Sequence, residues 1–170
     1  QWNSRLSWRR EINYFKLLKV ESASKNTNTQ YSIDSEQKLH FAKFVAGLAS
    51  RMGYEETPVL TKNEILYPLF SMCRGECRRL KHFLKDAMIM SLKENKSTVD
   101  KEILASTFAL KFPYLDNPFE CLLEELKLDQ LDTSSAYNTR AITSEDKILA
   151  PRFTDAIPLS MLLSKSALKV

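Results

Sequence analysis

A chain of 170 residues, 44% hydrophobic and 27% charged, is long enough for one domain with its own core, and its three glycines are too few for a fold rich in tight hairpins, so a mainly α protein is expected. A net charge of +4 with a pI near 8.9 admits a nucleic-acid partner without requiring one. Three cysteines (Cys73, Cys77 and Cys121) and two isolated histidines argue against a disulfide framework or a zinc site. Reduced thiols in a cytoplasmic protein are expected, and no apolar run reaches membrane-spanning length.

The chain opens on Gln1-Trp2-Asn3 rather than Met, and we read it as the C-terminal part of a longer protein. Residues 1–10 carry Arg5, Arg9 and Arg10. Residues 11–20, with Ile12, Tyr14, Phe15, Leu17 and Leu18, predict a single buried strand whose partners are absent from this chain or come from another molecule. Residues 22–32 are polar and aperiodic, a linker.

Asp34 or Ser35 can cap a helix to about Met52, with Phe41, Phe44, Val45, Leu48 and Met52 on one face and Gly53 at its exit. Thr61 and Glu64 predict a capping box for the next helix, Leu60 and Ile65 a hydrophobic staple, and Pro68 a distortion or a shifted start. Gly75 ends that helix and a third begins at once. Leu80, Phe83, Leu84, Ala87, Met88 and Leu92 form its apolar stripe, and it runs to about Lys93. Asp100 caps a fourth helix, stapled by Val99 and Leu104, which carries Ile103, Leu104, Thr107 and Phe108 inward and ends before Pro113. Asn117-Pro118 predicts a turn, and residues 120–131 a short leucine-bearing helix. Beyond it lies a tail with apolar anchors (Ile157, Leu159, Met161, Leu162, Leu163) but no core of its own. It is expected on a partner surface, on the body of its own chain, or partly disordered.

No catalytic set is complete: there is no GxxxxGK[ST] loop, no HExxH and no Ser-His-Asp arrangement, and Glu55-Glu56 and Glu124-Glu125 point apart. Arg78, Arg79 and Lys81 crowd the start of the third helix, where the positive end of the dipole disfavours cations unless an anion is near. A phosphate is one such anion, and a solvated basic face is the plain alternative.

Two strings give this order meaning: Asn3-Ser4-Arg5-Leu6 before the strand, and Gly75-Glu76-Cys77-Arg78-Arg79-Leu80 opening the third helix. The arrangement resembles the C-terminal portion of an AAA+ ATPase, with the last strand of the nucleotide-binding core followed by the helical lid. Within AAA+ it is most similar to the TnsC/TniB family of transposition regulators, through Ser4-Arg5-Leu6-Ser7, Arg9-Arg10-Glu11-Ile12, the Ala87-containing helix, Val99-Asp100 and Asn117-Pro118-Phe119. The likeness covers about residues 1–120. It implies the end of the core at residues 1–20, a linker at 21–33, a four-helix lid at 34–112 and a partner-binding extension at 113–170.

The resemblance also implies roles. Arg5 would be an arginine finger acting in trans, and Arg78 a sensor-2 arginine acting in cis with Gly75. Arg79 is a further cofactor-binding candidate, and Arg79 and Arg74 are alternatives to Arg78 in register. The parent protein would use ATP and Mg2+ and assemble with itself on double-stranded DNA through core segments missing here. It would link a target-selection protein to transposase subunits, the latter through the tail. Without Walker A and Walker B the chain should be inactive alone and bind nucleotide weakly. Plainer readings stand beside these: Arg5 as a surface arginine, Arg78 paired with Glu76 or Asp86, Arg9 and Arg10 on a solvated face rather than on DNA, and Trp2 and Trp8 as packing residues. The rival assignments are the lid of an origin-recognition or clamp-loader ATPase, and a stand-alone helical interaction module that uses no nucleotide.

Overall fold

The computed structural model describes residues 14–22, 30–132 and 152–163. They are mainly helical with a few short strands. The order is β1 (Leu18–Ser22), β2 (Gln30–Ile33), α1 (Ser35–Ala49), α2 (Asn63–Cys73), α3 (Cys77–Lys93), α4 (Lys101–Lys111), β3 (Lys127–Leu128), β4 (Ile157–Pro158) and α5 (Leu159–Leu162).

The caps explain where the helices begin. The Asp34 carboxylate accepts from the Glu36 and Gln37 amides and starts α1, and Asp100 accepts from the Ile103 amide at 2.8 Å and starts α4. The expected capping box of α2 does not form. Its N-cap is Lys62, with no side-chain bond, and Lys62 instead accepts backbone bonds from Ile65 and Leu66. The staple pair, Leu60 and Ile65, is nonetheless buried. Pro68 sits within α2, where the missing N–H costs one ladder bond.

Helix α2 is buried nearly all round, from Ile65 to Phe70 and at Met72 and Cys73. A helix apolar on every side belongs at the centre. Helix α1 packs on it through Phe41, whose ring meets Phe70 edge-on at 5.2 Å, and through Lys38, whose ammonium bonds Asn63 Oδ1 and lies 4.9 Å from the Tyr67 ring. Helices α3 and α4 close the other side. Phe83 packs edge-on against Phe108 and stacks flat on Phe119 at 5.6 Å. Asn117 makes the predicted turn, accepting from the Phe119 amide while its own amide donates to the Ala105 carbonyl. On α3 the stripe is buried at Leu80, Phe83, Leu84 and Ala87, but the fourth turn differs from expectation: Leu92 is exposed and Ser91 is buried, its hydroxyl bonded to Tyr54. The 100° step puts Ser91, not Leu92, over the stripe.

Two further sequence expectations are overturned. Of the strand expected at 11–20, residues 11–13 lie outside the described residues and 14–17 are not in a strand; β1 begins at Leu18 and pairs antiparallel with β2, so part of the expected linker is its partner. Residues 120–131 are not a helix but turns leading into β3, which pairs antiparallel with β4; Leu131 bridges Phe153 beyond it. The alternation of buried Leu126 and Leu128 around exposed Lys127 has the period of a strand. The C-terminal segment, expected to have no core of its own, joins that of the bundle: Leu126, Leu128 and Leu159 belong to the same buried cluster as Phe41, Phe70 and Phe83. Of the three places allowed for it, its described part lies on the body of its own chain.

Candidate functional site

The site singled out by sequence is the break between α2 and α3. Helix α2 ends with Arg74 in the left-handed region (φ 54°) and Gly75 follows at φ 82°. Gly75 has a second reason to lack a side chain. The Phe15 amide donates to its carbonyl at 2.8 Å, and a Cβ there would stand 2.1 Å from the Phe15 carbonyl oxygen. The break is therefore where the extended segment leading into β1 crosses the bundle, and Phe15 completes the crossing by packing against Phe41 and Phe44.

The arginines at the break divide. Arg74 is committed to the C-terminal segment: its guanidinium is ion-paired with Asp129 and lies 3.6 Å from the centre of the Phe153 ring. Arg79 leans back over Phe112, 5.3 Å from the ring centre. Arg78 is exposed and has no ion-pair partner among the described residues. Asp86, one expected partner, pairs with Lys111 instead. Helix α3 has no acidic residue in its first turn, and the Glu76 carboxylate makes no cap bond. The helix thus starts with a solvent-facing guanidinium where the dipole favours an anion. Arg5, Arg9, Arg10, Trp2 and Trp8 lie outside the described residues.

Burial disfavours the thiolate form of the cysteines. Burial pushes Cys73 up to about 12, against smaller opposing contributions from the Gly75 amide and Arg79, and burial likewise raises Cys77 and Cys121. His40 and His82 are exposed. Among the described residues no three His, Cys, Asp or Glu side chains converge as a metal site would need.

Gln130, which sequence reasoning did not single out, joins the two ends of the chain. Buried, it accepts from the Leu17 and Leu18 amides at 2.8 and 2.7 Å and donates to the Leu18 carbonyl at 2.8 Å. Its backbone joins residue 154: Gln130 N–H donates to Thr154 Oγ1 and Thr154 N–H to the Gln130 carbonyl. With β2 on one side and Gln130 on the other, the Leu18 backbone has no group left for a further strand. Only its uncharged polarity within a leucine-rich run hinted at this, and that does not separate a buried glutamine from a solvated one. Comparison with protein-family models, with curated proteins and with solved structures finds no match.

Proposed function

We propose that this chain is the lid and C-terminal extension of an AAA+ ATPase of the TnsC/TniB type, a regulator that couples target-site selection to a transposase. The observation that supports it is the selection among the arginines of the Gly-x-x-Arg break. Arg74 and Arg79 are held against Phe153 and Phe112, whereas Arg78, at the motif position, is exposed at the start of α3. In that role Arg78 meets the γ-phosphate of ATP held by core residues of the same subunit, and Arg5 reaches the nucleotide of a neighbour. A planar, always-charged guanidinium suits the charge spread over the transferring phosphoryl group. The Mg2+ ligands, the ATP cradle and the contacts to double-stranded DNA belong to the core. Target-selection protein and transposase would engage the assembled oligomer.

The experiment uses the complete protein. Arg78→Ala is expected to lower ATP hydrolysis on DNA by about 10- to 1000-fold, the scale for losing a charge-stabilising donor. The melting temperature should stay nearly unchanged, because this side chain is exposed. Unchanged hydrolysis refutes the cis role.

A second reading, a helical interaction module without nucleotide chemistry, is favoured by one feature. Leu18 is saturated by β2 and Gln130 rather than left open to a core sheet. ATP binding separates the two: the module leaves the complete protein without ATP affinity.

A further inference from the structure

The β1–β2 sheet is closed on one edge and open on the other. Gln130 closes the β1 edge: the Leu18 amide and carbonyl bond its side chain and so point away from β2. That makes Leu18–Ile33 a non-hydrogen-bonded pair of the antiparallel ladder, in which the backbone groups of both residues face outward. The register runs unbroken from there to Val20–Tyr31, so Tyr31, two residues before Ile33, also turns its N–H and C=O away from β1. Neither residue finds a backbone partner on that side among the described residues. The open edge borders a cleft of about 1080 Å3, lined by Tyr31 and Ser32 of β2, Ile157 and Pro158 of β4, and Met161 and Leu162 of α5. The Ser32 hydroxyl is buried and has no hydrogen-bond partner among the described residues. Glu21 and Asp155 line the same cleft, both exposed and without ion-pair partners among the described residues. Among the described residues no lysine, arginine or histidine lines it, although the net charge of the chain is +4.

We propose that this cleft takes an extended, cationic peptide from a partner protein, which adds to β2 as a third strand. An open strand edge offers main-chain donors and acceptors in a row, and another strand is the ligand that satisfies them. The outward N–H and C=O of Tyr31 supply these bonds within the cleft. Alternate side chains of the incoming strand then divide between two surroundings: apolar ones against Ile157, Met161 and Leu162, and lysine or arginine toward Glu21 and Asp155. The charge decides the kind of partner. A second copy of this chain would bring the same two carboxylates to the contact, and like charges across paired strands oppose it. The contact needs no nucleotide and no residue of the Gly75 break, so its failure would leave the ATPase reading standing.

The test is fluorescence anisotropy of a labelled, N-acetylated hexapeptide alternating lysine and valine, titrated at low salt with the 170-residue chain. It should bind saturably, one peptide to one chain, and the same peptide with glutamate in place of lysine should not bind. Two N-methylated versions, one blocked at the lysine amides and one at the valine amides, separate strand addition from charge attraction. A strand turns only alternate amides toward its neighbour, so one version should lose binding and the other keep it. Glu21→Lys combined with Asp155→Lys should weaken binding about tenfold, and an unchanged melting curve shows that this variant is folded. The N-methylated pair needs no change in the protein at all. Absence of binding, equal behaviour of the two N-methylated peptides, binding of the glutamate peptide, a charge-reversed variant that binds like the wild type, or a bound species containing two chains would each overturn the proposal.

Discussion

At Gly75 two independent constraints meet on one atom. The backbone lies at φ 82°, where an L side chain is strained, and a methyl group would collide with the Phe15 carbonyl oxygen. Because the obstacle is main chain, no rotamer change relieves it. Gly75→Ala is expected to cost about 3 kcal/mol, combining the left-handed penalty with an overpacking strain of similar size. The urea midpoint should fall with an unchanged m-value. Gly53, also at positive φ (79°) but with nothing near its missing Cβ, should show only the smaller, conformational part of the loss. The sequence made Gly75 visible as a helix breaker. What it could not disclose is that residue 15, sixty positions earlier, presses against it.

Local signals made the helices legible. Asp34, Asp100, Gly75, Pro113 and the three- and four-residue spacing of apolar side chains each act within one or two turns, so their physics is contained in a short window. The strands were not legible for the same reason. A strand is expected at 11–20 and β1 overlaps only its end, while β2 is too short to declare itself by composition. β3 finds its partner only across the long separation to Ile157, and a buried Leu126 and Leu128 can be read as helix or strand until that partner is known. Gln130 is the joint between these elements, and its removal tests whether the joint matters. Gln130→Ala deprives the Leu17 and Leu18 amides and the Leu18 carbonyl of their partners. An expected loss is about 2–4 kcal/mol, since unsatisfied buried groups cost more than the bonds themselves contribute. Hydrogen exchange should locate the damage: Leu17 and Leu18 amides lose protection, while the α3 and α4 amides retain theirs relative to the global unfolding limit.

The whole molecule decides among the places open to its C-terminal segment. Read as sequence, the apolar residues from Ile157 to Leu163 are anchors with three possible places: a partner surface, the body of their own chain, or partial disorder. In the fold Leu159 is fully buried among residues of the helical bundle, and its amide bonds the Leu126 carbonyl. Met161, two positions on, is 76% exposed. One short helix thus carries a structural residue and a surface residue, and deleting it removes both. A deletion that abolished partner binding would prove nothing, since it would also strip Leu159 from a core that the rest of the chain needs. The informative pair is Leu159→Ala and Met161→Ala. The first should destabilise by about 2–5 kcal/mol, as buried leucine truncations do, and lower the melting temperature of the isolated chain. The second should leave the melting curve within about 0.5 kcal/mol of the wild type, as exposed substitutions do. If a transposase or any other protein docks on this end of the molecule, Met161→Ala weakens that binding without unfolding anything. If pull-down affinity is untouched by Met161→Ala and falls only with Leu159→Ala, this segment is a clasp that closes the molecule on itself, and the docking surface lies elsewhere.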